Sequence, residues 1–206
     1  SGIWIPNGNG VSLYDNGQWK FFGPEDGILM EYVECITEDR KGMLWFGTVN
    51  EGIWTYDGND WTQYNKMTWN FMKDITSVAA ENGGEALASG LGGVFKFDGK
   101  SWKVFATQDS GLAHNWTYSI ARDRKGWIWA GTVSGLSVFD GTTWKTIEGT
   151  ESSWQINDIV IDSEDNAWAA TYKHILKIEN GKPMIIEEGG FTSAVIDSSG
   201  VKWFGS

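Results

Sequence analysis

The chain has 206 residues, of which 41% are hydrophobic, enough for a packed core in one domain. Its net charge of −11 would repel a phosphate backbone, and no Lys/Arg run offers a local exception, so nucleic acid is not expected as a partner. No stretch approaches the roughly 20 apolar residues that span a bilayer, so this segment is not expected to insert into a membrane, and the single Cys35 excludes an internal disulfide.

The 14 Trp and 27 Gly recur in order along the chain. A short strand at Ile3–Ile5 in "GIWIP" opens the pattern, and since "SGIWIP" already falls inside a repeat, the lack of a leader there carries no information. The phrase "DRKGMLWFGTVNEGIWTYDGNDW" (Asp39–Trp61) returns as "DRKGWIWAGTVSGLSVFDGTTW" (Asp123–Trp144). Aligning Trp45 with its equivalents Trp4, Leu87, Trp129, Trp168 and Trp203 gives spacings of 41, 42, 42, 39 and 35 residues. A period near 40 made of short β-branched or aromatic runs, broken by Gly and Asp/Asn turns, predicts the blades of an all-β propeller.

Each repeat divides into four antiparallel strands, A to D. In the third repeat these are Thr117–Ala121, Trp127–Ala130, Leu136–Phe139 and Trp144–Ile147, with "DRKG" between A and B and "DGTT" between C and D. "DNGQW", "DGNDW" and "DGKSW" are the same C–D turn, because Gly adopts positive φ without steric cost. "ENGKP" replaces the tryptophan by Pro183, which suits an outer strand. The repeated tryptophans read as wedges between blades, and the "GT" and "GG" pairs read as turns.

The repeats are 1–31, 32–73, 74–116, 117–155 and 156–191 within a single domain, with 192–206 closing the ring. Five A, five C and five D strands stand against six B strands. Five blades are favoured over a piece of a larger six- to eight-bladed ring. Thr192–Ile196 is expected beside Ile3–Ile5 as its A strand; Val201–Phe204 competes for that same place, so one of these two B-strand copies is expected outside the regular sheet or exchanged between chains.

"DSGLAHNWTYSIARDRKGWIWAGTVSGLSVFD" (Asp109–Asp140) resembles the two-component regulator propeller repeat, as do "EDGIL", "TEDRKGMLWFGT" and "IDSSGVKWFGS". Glu81 and Leu87 depart from the pattern, as does "EDNAWAATYKHI". The resemblance implies a bacterial periplasmic sensor region of a hybrid two-component regulator, or a secreted stand-alone propeller, and a periplasmic or extracellular location. Many members of that family respond to glycans.

A strands line the central channel of a propeller. Their first variable column reads Tyr32, Asp74, Trp116, Gln155, Gly190, and the next reads Glu34, Thr76, Tyr118, Asn157, Thr192. Deeper positions are apolar: Ile36, Val78, Ile120, Ile159 and Ala194. Aromatics mixed with carboxylates and amides around one opening suit a sugar, and the preceding loops add Trp69, Phe71, His114 and Trp154. A wet, unused channel is the plainer reading of the same residues.

The expected function is non-catalytic binding of a small molecule or oligosaccharide by a sensor or capture module. Alternatives are a protein-interaction scaffold and a carbohydrate-active lyase or hydrolase, for which Glu34 and Asp74 would be the carboxylate pair. Two histidines and one cysteine make no zinc set, "DSEDN" lacks the spacing of a calcium loop, and no Gly-rich phosphate loop opens a helix. Neither metal nor cofactor is expected.

Overall fold

The computed structural model describes residues 2–64, 72–80, 85–150 and 154–206. They form 21 strands, one helical turn at Thr107–Ser110 and one 3-10 turn at Pro24–Asp26. The chain divides into two compact units, Ser1–Lys103 and Val104–Ser206.

The first unit begins with a three-stranded sheet of β1 (Ile3–Asn7), β2 (Gly10–Asp15) and β3 (Gln18–Phe22). Two four-stranded antiparallel sheets follow. One is β4 (Val33–Glu38), β5 (Leu44–Thr48), β6 (Ile53–Tyr56) and β7 (Trp61–Tyr64). The other is β8 (Ser77–Ala80), β9 (Ala86–Gly90), β10 (Gly93–Phe97) and β11 (Trp102–Phe105), with the unit boundary inside β11.

The second unit holds β12 (Thr117–Arg122), β13 (Ile128–Thr132), β14 (Gly135–Phe139) and β15 (Trp144–Thr146) in one sheet. The next is β16 (Ile156–Ile161), β17 (Ala167–Thr171), β18 (His174–Glu179) and β19 (Lys182–Glu188). A two-stranded sheet, β20 (Ser193–Ile196) with β21 (Lys202–Gly205), ends the chain. The strands alternate as the repeat requires, and Pro183 lies on the outermost strand of its sheet, where a missing N–H costs no ladder bond.

The C–D turns are held by their aspartates. Asp57, Asp98 and Asp140 each accept two backbone N–H bonds from the residues two and three positions on. That is the Asx arrangement, in which the side chain mimics a backbone acceptor and holds the exposed turn closed. Tryptophans wedge neighbouring sheets as expected: Trp45 is 1% exposed, stacks on Tyr64 at 6.1 Å and meets Phe97 of the following sheet edge-on at 5.9 Å. Leu87 takes the tryptophan position of its sheet and is fully buried.

Two expectations need correction. The glycines of the "GT" pairs are not turn residues, because Gly47 and Gly131 sit inside β5 and β13. A Cβ on Gly131 would lie 2.7 Å from Ile156 Cγ2, and one on Gly47 would lie 2.6 Å from Ile75 Cγ2. Glycine is needed there so that the next A-strand segment can approach the B strand. The pairing at the chain ends also differs: β1 pairs with β2 in the first unit and β20 with β21 in the second. Each B-type strand therefore holds an ordinary place in its own sheet. Val201–Phe204 is therefore not left outside a sheet: the tight "DSSG" turn pairs β21 with β20 as an ordinary A–B hairpin.

Candidate functional site

The A strands do not begin regularly. The β4–β5 register slips between Val33 and Cys35, β12–β13 between Thr117 and Ser119, and β16–β17 between Ile156 and Asp158. The extra residues are Glu34, Tyr118 and Asn157, all in the second candidate column. A bulge places two residues against one partner and turns the extra side chain away from strict alternation, which is how a strand end is aimed at a ligand.

In the second unit the candidates form two neighbouring pairs. Trp116, 43% exposed, stacks on Tyr118 with ring centroids 5.9 Å apart and planes 27° apart. The Trp116 backbone N–H donates to His114 Nδ1 at 2.9 Å, so a neutral His114 carries its proton on Nε2. On the adjacent A strand, Gln155 Nε2 donates to Asn157 Oδ1 at 2.9 Å, and Asn157 Nδ2 donates to the Phe191 carbonyl at 2.7 Å. Trp154 lies against the apolar core and meets His174 edge-on at 5.3 Å. Gly190 and Thr192 are exposed ahead of β20.

In the first unit Tyr32 and Asp74 occupy equivalent places and share an unusual backbone, with φ of 49° and 46°. A tyrosine in the left-handed region stores roughly 1 kcal/mol of strain, a feature that collects at ligand sites. Tyr32, Glu34, Val33, Pro6, Asn7 and Gly8 line a shallow cavity of about 170 Å³. Thr76 is half-buried, and its hydroxyl lies 3.2 Å from Ser89 Oγ. Trp69, Phe71 and Glu81 lie outside the described residues.

Strict alternation along the A strand passes over Asp158, yet this carboxylate ties three strands together. Oδ1 accepts from Ser119 Oγ on β12 at 2.8 Å and from its own Ile159 N–H, while Oδ2 accepts from the Ala194 N–H on β20 at 2.8 Å. It thereby fixes the spacing between the Trp116–Tyr118 pair and the Gln155–Asn157 pair. Nothing in the run "INDIVID" marks it, because the bulge that turns it inward exists only in the paired sheet. Below these residues Val78, Ile120 and Ile159 are buried, as the apolar column requires.

Four-stranded antiparallel sheets repeated in chain order, with variable side chains where each A strand begins, define a β-propeller. Residues 27–50 and 111–134 match the family model described as two component regulator propeller. Among solved structures it is similar to the extracellular domain assigned to a hybrid two component system of B. thetaiotaomicron, at 21% identity and a TM-score of 0.76. That match covers 100% of this chain and 36% of the other. PorZ, a bacterial surface component of the type-IX secretion system of Porphyromonas gingivalis, matches at 17% identity and a TM-score of 0.76, again over 100% of this chain and 36% of the other. Virginiamycin B lyase of Staphylococcus aureus, solved with quinupristin, matches at 13% identity and a TM-score of 0.76, over 99% of this chain and 73% of the other. This chain thus spans little more than a third of the first two proteins. Curated proteins give no match by sequence.

Proposed function

We propose that the chain is a non-catalytic ligand-binding propeller module that acts outside the cytoplasm and takes an oligosaccharide at the A-strand openings. The observation that carries this reading is the Trp116–Tyr118 stack. Two rings lie nearly parallel, with the indole 43% exposed, at a backbone bulge beside a pair of side-chain amides. A sugar offers C–H faces for the rings and hydroxyls for the amides and for His114 Nε2. Tyr32, Glu34, Asp74 and Thr76 are assigned to the same kind of recognition in the first unit. The likeness to an extracellular domain of a hybrid two component system supports a sensing role.

The test is a thermal-shift screen of the protein against a panel of oligosaccharides. A ligand that binds only the native state raises Tm by mass action, about 2.7 kcal/mol of stabilisation at a hundredfold excess over Kd. A panel without any shift would overturn the reading.

A protein-docking role has its own support in the outer strand β19. Met184, Ile185 and Ile186 are all exposed on it, and consecutive exposed apolar residues on a sheet edge are unusual unless another chain covers them.

A further inference from the structure

At the other end of β12, the A–B turns of the second unit enclose a cavity of about 320 Å³. Its floor is apolar, made by Trp129, Val138, Ile147 and Ile178. Its rim carries Glu164 and Asp165 against the ammonium group of Lys125, and Asp123 lies buried beneath them, its carboxylate accepting from the Trp127 N–H and the Trp129 indole. The Arg124 backbone N–H donates to Asp165 Oδ1 at 3.1 Å and joins the two turns across the groove. An apolar slot with excess negative charge at its mouth matches an aliphatic stem ending in a cation.

The next groove along shows what fills such a space. Lys202, just before Trp203, holds its Nζ 5.2 Å from the centroid of the Trp168 ring and 3.9 Å from Asp162 Oδ2. In the sheet beside the cavity the same register belongs to Ala167, just before Trp168. Ala167 pairs with Ile161 as Lys202 pairs with Ile196. A methyl side chain delivers no cation to Asp123 and Trp129. Trp168 also has Lys177 opposite it across the ladder, where Trp129 has Val138. At the rim, Lys125 Nζ lies 5.7 Å from the Trp127 ring centroid, so that indole already presents a face to a cation.

We infer that this cavity binds a primary alkylammonium group, the end of a free diamine or of a lysine side chain. The stem lies on Val138, Ile147 and Ile178, and the ammonium sits between the indole faces and the carboxylates of Asp123 and Asp165. This site is separate from the Trp116–Tyr118 pair, so sugar binding and amine binding fail independently.

The test is calorimetric titration of the intact protein at low salt with cadaverine, with Nα-acetyl-lysine methylamide, and with pentane-1,5-diol as the neutral counterpart. Both amines are expected to bind and the diol is not. Tighter binding of the diamine marks a free amine as the ligand, and tighter binding of the lysine derivative marks a protein side chain. Ala167→Lys places a lysine in the register of Lys202 and should abolish amine binding, at a cost in Tm because Ala167 is fully buried. Trp127→Ala, at a partly exposed position, should weaken binding about tenfold, and this arm stands if Ala167→Lys fails to fold. Absence of amine binding, binding of the diol as strong as that of the amines, or undiminished amine binding in Trp127→Ala would overturn the inference.

Discussion

The indole N–H of Trp168 donates to Asp162 Oδ2 at 2.8 Å, across the turn that separates the A and B strands of its sheet. The same bond joins Asp123 to Trp129 at 3.1 Å and Asp197 to Trp203 at 2.9 Å. Asp39 precedes Trp45 by the same six residues, yet the Trp45 Nε1 is buried without a partner. Asp39 spends Oδ1 on the N–H groups of Lys41 and Met43, while Trp45 turns flat against Tyr64.

This difference predicts unequal effects of one substitution. Asp162→Asn leaves the Trp168 indole facing an amide and should cost about 2 kcal/mol, in the range for a hydrogen bond to a charged group. Asp39→Asn removes no indole bond and should cost about 1 kcal/mol or less. Urea unfolding of the two variants checks the order.

The same carboxylate sets a pH dependence. Burial raises the Asp162 pKa, but hydrogen bonds from Trp168, Asn166 and Glu164 outweigh it and hold the group at about 2, against an ordinary 3.8. A folded-state pKa below the unfolded one gives stability that is complete above the ordinary value and lost as pH falls toward the folded value. Wild-type stability should therefore decline from about pH 4 toward about pH 2, and Asp162→Asn should flatten that limb. Thermal melts across the interval measure it. Asp197 is held low by Ser199 and Trp203 and adds to the same limb.

Gly131→Ala should destabilise by roughly 1–3 kcal/mol, because its Cβ would press on Ile156, whose backbone cannot withdraw without moving β16. Gly8→Ala is the matched control: nothing lies within 4 Å of its Cβ, so its Tm should stay close to wild type.

Cys35 should be inert in the folded protein. Burial pushes its thiol up to about 12, and Sγ points at the Ile75 carbonyl at 3.8 Å. Iodoacetamide at pH 8 should leave it unmodified until denaturant is added, since only the thiolate reacts. Rapid alkylation of the native protein would contradict the raised thiol pKa.

Trp116→Ala tests the binding proposal directly. With 43% of the residue exposed, truncation should lower Tm only slightly while removing the sugar-induced shift. A large loss of stability would instead assign Trp116 to the core.

The repeat, the strand types and their number are legible in the residues alone. Trp45, Trp129 and Trp168 each follow a turn aspartate by six residues, and local turn chemistry of that kind is written in adjacent residues. The sequence also marks the edge place of Pro183 and the apolar column of Val78, Ile120 and Ile159, because alternation and missing donors are properties of the strand alone. The bulges at Glu34, Tyr118 and Asn157 arise only when A and B strands pair, so alternation counted from either side misses Asp158 and its three-strand tie. Glycine at 47 and 131 carries the same letter in a turn or a strand, and only the approach of Ile75 and Ile156 shows which it serves. The place of the sixth B strand was likewise not written in the repeat, which counts strand types without pairing them. In the folded chain β21 is an ordinary hairpin partner of β20, since the short "DSSG" turn closes at little loop entropy.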